Sequence, residues 1–299
     1  MSMISSRPIT PTVEAPVSNG IRWLTRAITV LAVVVGPLLF LLPERTDSLF
    51  AWTINPPTTA AFLGATYFTA LAIDLLAARE RIWARVRVIY PSLLLFVVLT
   101  LAATLLHLDK FHFNSSGTIA RITAWAWLVV YIVVPVATFA LLISQMRSAV
   151  RHRMGGSAPA LPSWLRGLLA VQSLVMLVVG VALFVAPGVV GPAWPWSLTP
   201  LTAQAIGAWL VGFGMAAGQS VLENSWERTY ITYAGSSVFG ILELVALARF
   251  AGSVQWTSPA AWLYLLFFIS LACSGVYGVY ATRHLYRRVS PFPAPLPDI

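Results

Sequence analysis

Two acidic residues interrupt long apolar segments of the chain, where a charge is costly. Asp74 and Glu243 each lie inside a segment of about twenty mostly apolar residues, the length that crosses a bilayer. An ionisable side chain within a membrane helix marks by default a functional position or a buried partner. Arg79 or Arg81 can pair with Asp74, whereas Glu243 has no basic residue at helical spacing. We therefore name Glu243 and Asp74 as candidates to line a cavity, with an ion pair as the alternative for Asp74.

A short polar stretch follows the third apolar segment and carries the residue types that bind metals. His107, Asp109 and His112 can supply three ligands, but Lys110 stands among them, so a polar cap on the outer surface is the favoured interpretation. The sequence contains no HExxH motif and no glycine-rich phosphate loop. It therefore predicts no cofactor, no metal and no enzymatic activity.

A charged signature occurs twice, each time between two apolar segments. The first copy comprises Glu80, Trp83 and Arg85, and the second comprises Glu223, Trp226 and Arg228. A Glu–Arg ion pair around a tryptophan at the membrane surface would hold the turn between two helices, so we predict a structural interface. Binding of an anionic lipid headgroup by the arginines is the alternative.

The composition is that of an integral membrane protein. Hydrophobic residues make up 58% of the chain, charged residues only 10%, and the mean hydropathy is +0.80. The net charge of +9 comes from arginines clustered between apolar segments, as orientation signals are, so nucleic acid is not predicted as a partner. The single cysteine, Cys273, excludes a disulfide within one chain.

The chain contains an internal repeat. At an offset of 144 residues, changing to 143 after one deletion, eighteen positions carry identical residues in both halves. Several are tryptophan, proline or glycine, as in the pairs Trp52/Trp196 and Gly64/Gly207. Apolar composition alone does not produce this agreement, so we interpret the chain as a duplicated unit. Asp74 and Glu243 are asymmetric, because Ala217 and Thr100 occupy the matching positions.

Eight apolar segments meet or approach the length of a membrane-spanning helix. They are residues 24–42, 58–78, 88–106, 119–146, 164–186, 201–222, 230–250 and 259–282. The segments are continuous rather than alternating, so the predicted fold is an all-α integral membrane protein with eight transmembrane helices. Each copy contains four helices, and because four is an even number both copies cross the membrane in the same orientation. The sequence therefore predicts two parallel four-helix repeats.

The arginine distribution predicts the orientation. Fifteen of the nineteen basic residues fall on the side that holds both termini and four on the other, so both termini are predicted to be cytoplasmic in a bacterial cell membrane. The predicted organisation is a disordered cytoplasmic tail (1–20), a first repeat (21–146), a cytoplasmic linker (147–163), a second repeat (164–288) and a Pro-rich cytoplasmic tail (289–299).

Small residues recur every four positions in the second and sixth predicted helices. The stripes contain Ala65 and Thr69 in the first copy, and Ala208, Gly212 and Ala216 in the second. Small side chains let helix backbones approach closely in lipid. We therefore predict that these residues pack helices at the centre of the bundle.

These features favour no single activity. The first hypothesis is a membrane scaffold or accessory subunit that binds partner membrane helices, or a second copy of itself, through the small-residue stripes. The alternative is a small transporter or binder of a hydrophobic or weakly polar molecule at the repeat interface. A lipid-modifying enzyme is the third, and it is disfavoured because the histidines fall on opposite sides of the membrane.

Overall fold

The computed structural model describes residues 14–150 and 159–289, and within them eight helices are long and apolar enough to cross a membrane. We number these eight helices α1 to α8. Their bounds are α1 Asn19–Leu41, α2 Pro57–Arg79, α3 Ile89–Leu106, α4 Thr118–Val150, α5 Ser163–Val185, α6 Pro200–Glu223, α7 Trp226–Arg249 and α8 Pro259–Val289. The predicted all-helical class and the predicted number of spans are confirmed.

Short helical segments and two isolated β-bridges shape the connections between the long helices. The short α-helices are Thr46–Leu49, Trp83–Val86 and Pro187–Val190, and the 3₁₀ segments are Pro43–Arg45, Leu108–Lys110, Gly191–Ala193 and Ala251–Ser253. The bridges join Pro16 to Ile82 and Trp52 to Phe111. These short segments fill the described connections between the long helices.

The helices extend further into polar sequence than the apolar segments indicated. α1 begins at Asn19 and α8 continues to Val289, because backbone hydrogen bonding does not stop where the hydrophobic side chains stop. Residues 14–20 of the predicted disordered tail are ordered, which corrects that prediction there: the Val17 amide donates to the Arg81 carbonyl at 2.9 Å. The remainder of that tail, most of the linker and residues 290–299 lie outside the described residues.

Proline and hydroxyl residues fix where the central helices begin. Pro57 and Pro200 each occupy the first turn, where a missing N–H costs nothing. At α6 the Thr199 hydroxyl accepts from the Thr202 amide, and the Thr202 hydroxyl accepts from the Thr199 amide. This reciprocal cap satisfies amides that have no partner within the helix.

Close glycine contacts hold α1 against α2 and α5 against α6. A Cβ placed on Gly64 would lie under 3.0 Å from backbone atoms of Phe40, and one placed on Gly207 would lie 2.6 Å from the Gly180 carbonyl oxygen. α2 also packs on α7, α3 on α6, and α7 on α8. The buried share of the apolar span is 67% for α2 and 61% for α6, against 22% for α4. α2 and α6 therefore form the centre of the bundle.

The two ends of the bundle differ in chemistry. The arginine end carries the loop between α2 and α3, with Arg85, and the loop between α6 and α7. The tryptophan end carries Trp52 and Trp196, which are buried in the main core cluster. Aromatic neighbours such as Trp127 and Tyr264 cover their rings, so these two tryptophans pack inside the bundle.

Candidate functional site

A cavity of about 130 Å³ lies between the helices, and all eight contribute to its wall. α2, α3, α6 and α7 supply most of the lining, whereas α5 and α8 supply one residue each, Met176 and Leu271. The cavity extends from the middle of the bundle toward the arginine end, where Ile89 at the start of α3 also lines it. It therefore lies at the interface between the two halves of the chain.

Asp74 lines this cavity and has no partner among the residues that the structure describes. Its side chain belongs to a residue that is only 5% exposed, and no hydrogen bond or ion pair joins it to any described residue. The ion pair with Arg79 or Arg81 that the sequence allowed is therefore not formed with Asp74. A buried polar group normally has a partner, so the Asp74 carboxyl can bond to a molecule that occupies the cavity.

Four aromatic side chains form one wall of the cavity, which we call the aromatic wall: Tyr67, Phe96, Tyr131 and Trp209. The Tyr67 and Tyr131 hydroxyls are hydrogen-bonded at 2.9 Å. The Phe96 and Trp209 rings stack at 3.8 Å between centroids. These contacts join α2, α3, α4 and α6, so the wall is held by side chains from both halves.

The small-residue stripes pack within the chain. Ala65 and Ala208 are fully buried, and Thr69 lines the cavity with its hydroxyl bonded to the Ala65 carbonyl at 2.8 Å. A Cβ on Gly212 would lie 3.0 Å from the Phe96 side chain, so α3 approaches α6 closely there. Ala216 is half-buried and also lines the cavity. The small side chains of Gly212 and Ala216 leave room for the cavity.

Glu243, the other predicted cavity residue, is not among the residues that line the cavity. It is 1% exposed, and its Oε2 accepts a hydrogen bond from the Tyr264 hydroxyl at 2.7 Å, whereas Oε1 has no partner. Arg249, on the same helix, turns away from it and donates to the Phe40 carbonyl at the end of α1. The predicted pair is therefore divided: Asp74 faces the cavity and Glu243 faces α8.

The repeated charged signature forms a network at the arginine end. Glu80 pairs with Arg85 at 3.4 Å, and Glu223 pairs with Arg228 at 3.0 Å. Arg87, two residues before α3, donates to both oxygens of Glu223, at 2.5 and 2.6 Å. Arg85 also pairs with Glu227. The network therefore crosses between the two halves of the chain as well as holding each turn.

The two repeated glutamates have opposite electrostatic surroundings. Glu223 is shared by two arginines, whereas Glu80 competes with Glu227 for Arg85. Burial is the largest influence on the pKa of Glu80 and raises it, the charge and hydrogen bond of Arg85 lower it, nearby Glu227 raises it, and the net shift is upward. Desolvation lowers the pKa of Arg85, but the two glutamates outweigh it and raise that pKa overall.

Both tryptophans of the signature are buried against tyrosines. The Trp83 ring stacks on Tyr90 with centroids 5.4 Å apart, and Trp226 lies 6.1 Å from Tyr233 at the matching positions of the second half. These two tryptophans were predicted to lie at the membrane surface. That prediction is corrected, because both rings pack inside the bundle. Their apolar area stabilises the turns from within.

The polar stretch after α3 is occupied by other contacts. His107 Nε2 lies 3.0 Å from Gln204 Oε1, whereas His112 bonds to the Phe50 carbonyl. Asp109 pairs with Lys110 at 2.8 Å. Within the described residues no group of three His, Cys, Asp or Glu side chains is placed to hold a metal ion. The stretch caps the tryptophan end.

Sequence reasoning missed the aromatic wall. Tyr67, Tyr131 and Trp209 lie mid-helix, where an aromatic residue usually belongs to the core, and no spacing rule indicates that they meet. A tyrosine hydroxyl in the middle of a span was the available signal, because it requires a partner in lipid. Comparison with protein families, characterised proteins and solved structures finds no match for the chain. The cavity and its acid are therefore the guide to function.

Proposed function

We propose that the protein binds a small hydrophobic or weakly polar molecule in the central cavity, as a membrane binder or transporter without catalytic activity. The observation that carries this proposal is Asp74, which has no partner in the described part of the chain and lies on the wall of a cavity between the two halves. The lining is otherwise mostly apolar and aromatic, with a few hydroxyls. Ligand sites have this character: a hydrophobic cavity with few convergent polar groups.

The size of the cavity limits the ligand. An engineered apolar cavity of about 150 Å³ accepts benzene. The cavity described here, about 130 Å³, therefore fits a molecule built on a single six-membered ring or its aliphatic equivalent. Larger molecules would require the helices to move.

Two parallel four-helix repeats are part of the proposal. In support, Gly64 meets Phe40, and Gly207 meets Phe184 at the matching positions of the second half. The helix pairs agree as well, because α1 packs on α2 as α5 packs on α6, and α2 packs on α7 as α6 packs on α3. A bacterial plasma membrane with both termini in the cytoplasm follows from the arginine distribution.

Binding of toluene tests this proposal. Toluene has the size of the cavity and no charge, so it should bind purified protein in detergent above the background of empty micelles. The Ala216→Phe variant places a ring in the cavity and should abolish that binding. Equal uptake by the wild type and Ala216→Phe would show that toluene enters the micelle only, and the proposal would fail.

Cysteine labelling distinguishes a transporter from a binder. Ser236 lines the cavity on α7, and Cys273 is exposed on α8, so a Ser236→Cys, Cys273→Ser variant presents one thiol to the cavity. A small membrane-impermeant thiol reagent is added from either side of sealed vesicles. Labelling from both sides is expected of a transporter, and labelling from one side is expected of a binder.

The scaffold hypothesis remains a prediction, and its proposed contact surface is already covered. The stripes that were to bind partner helices pack against α1, α3 and α7 or line the cavity. A partner would therefore need another surface. Co-purification in mild detergent is the test: a partner retained by wild type and by Gly212→Leu would support a scaffold that does not use the stripes.

A further inference from the structure

We propose that the ligand is a small hydrophobic amine, bound as its ammonium ion with Asp74 as the counter-charge. This inference rests on the proposed function and narrows it to one chemical class. It rests on the charge balance of the cavity, the position of Asp74 and the composition of the aromatic wall.

The charge balance of the cavity favours a cation. Asp74 is the sole carboxylate among the lining residues, which all belong to the described part of the chain, and none of them is Arg, Lys or His. An ionised carboxylate in a low-dielectric site is stable only when paired. Because residues 14–150 and 159–289 supply no positive partner to Asp74, a ligand that brings one positive charge completes the pair. An anionic ligand would be repelled.

The aromatic wall favours an ammonium ion over a metal cation. Tyr67, Phe96, Tyr131 and Trp209 line the cavity, and aromatic rings attract organic cations through their quadrupole. A divalent metal requires several oxygen or nitrogen ligands, and the lining offers one carboxylate. A ring with an aminomethyl group fits both features, because its apolar part packs on the wall while its ammonium reaches the acid.

Hydroxyl groups can satisfy the remaining donors of the ammonium. Thr69, Ser92, Thr232 and Ser236 line the same cavity as Asp74. An ammonium has three donors, and a carboxylate accepts only part of them. A neutral alcohol of the same shape gains the hydroxyl contacts but not the charge pair. The amine should therefore bind more tightly than the alcohol.

The test compares benzylamine, benzyl alcohol and toluene on four forms of the full chain in detergent. The forms are the wild type, Asp74→Asn, Ala216→Phe and Glu243→Gln, the last a control because Glu243 is buried outside the cavity. Binding of labelled probes is measured by equilibrium dialysis at one pH with empty micelles subtracted. Toluene binding to Asp74→Asn reports that this variant is folded with its cavity intact.

The expected result is a loss of benzylamine affinity of about 30-fold or more in Asp74→Asn, the effect of removing one member of a buried charge pair. Toluene and benzyl alcohol should change less than about threefold, since neither forms that pair. Glu243→Gln should bind all three probes as the wild type does, and Ala216→Phe should bind none.

The other outcomes separate the two proposals. Equal binding of benzylamine and benzyl alcohol by the wild type and by Asp74→Asn overturns the amine assignment while leaving the cavity as a site for neutral molecules. Equal loss of benzylamine affinity in Asp74→Asn and Glu243→Gln also overturns the amine assignment, because removal of any buried acid would then weaken binding. Failure of all probes to bind, or binding that survives Ala216→Phe, refutes the proposed function as well.

Discussion

The close contact between α1 and α2 makes a quantitative prediction about one methyl group. Gly64 faces the backbone of Phe40, and Gly207 faces α5 at the matching position of the second half. We expect Gly64→Ala and Gly207→Ala to destabilise the protein by similar amounts. Gly167→Ala is the control, because Gly167 lies on α5 and has nothing within 4 Å of the added carbon.

The expected free-energy change follows from two opposing effects. At Gly64 and Gly207 the added Cβ would lie within 3.0 Å of backbone atoms, which cannot rotate away, so the helices must separate. Overpacking of this kind costs about 3 kcal/mol, the upper part of the usual range. The better helix propensity of alanine returns up to about 1 kcal/mol. The net loss is about 2 kcal/mol, whereas Gly167→Ala should be neutral or stabilising by up to about 1 kcal/mol.

The assay is reversible unfolding in mixed micelles of increasing SDS content, followed by tryptophan fluorescence. Gly64→Ala and Gly207→Ala should unfold at a lower SDS content than the wild type, and Gly167→Ala at the same or a higher SDS content. If Gly64→Ala and Gly207→Ala are as stable as Gly167→Ala, the close backbone contacts do not exist. If only one of the two is destabilised, the symmetric packing of the two halves is refuted.

Three further predictions concern the buried acids. Glu223→Gln should lower the free energy of unfolding by about 2 kcal/mol, because it leaves two partly buried arginines without their shared acid, whereas Glu80→Gln should lower it by under about 1 kcal/mol. Equal losses of stability in SDS unfolding would contradict this difference between the two glutamates. Burial raises the pKa of Glu80 in the folded protein. The wild type should therefore lose stability relative to Glu80→Gln as the pH rises from 4.5, the ordinary pKa of a glutamate, through the raised pKa of the folded state. A difference in unfolding free energy that stays constant across a pH series would refute this prediction. Tyr264→Phe should cost about 1–3 kcal/mol by leaving both oxygens of Glu243 unpaired, and adding Glu243→Leu should recover most of that loss; unfolding of the single and double variants provides the check.

The eight helices could be predicted because the bilayer leaves few alternatives. Every backbone polar group must be satisfied within the segment that crosses lipid, so an apolar segment of sufficient length forms a helix. The ends were less well determined, as α1 begins at Asn19 and α8 reaches Val289. Polar residues continue a helix outside the hydrocarbon, and hydropathy does not detect that continuation.

The candidate site could be predicted only in part. An acid in an apolar segment is visible in the sequence, and both Asp74 and Glu243 were identified that way. Which of them faces a cavity depends on how each helix is rotated against its neighbours. Hydrophobic residues surround all sides of α2, so periodicity gives no direction for Asp74.

The sequence by itself determined the membrane class, the number of helices and the ion pairs within each turn, because all of these depend on composition or on residues close along the chain. The tertiary structure alone decided that Asp74 opens onto a cavity, that Tyr67 bonds to Tyr131, and that Arg87 joins Glu223 across 136 positions. These are contacts between distant helices. Their geometry is set by close packing of whole helix faces, and no local pattern encodes it.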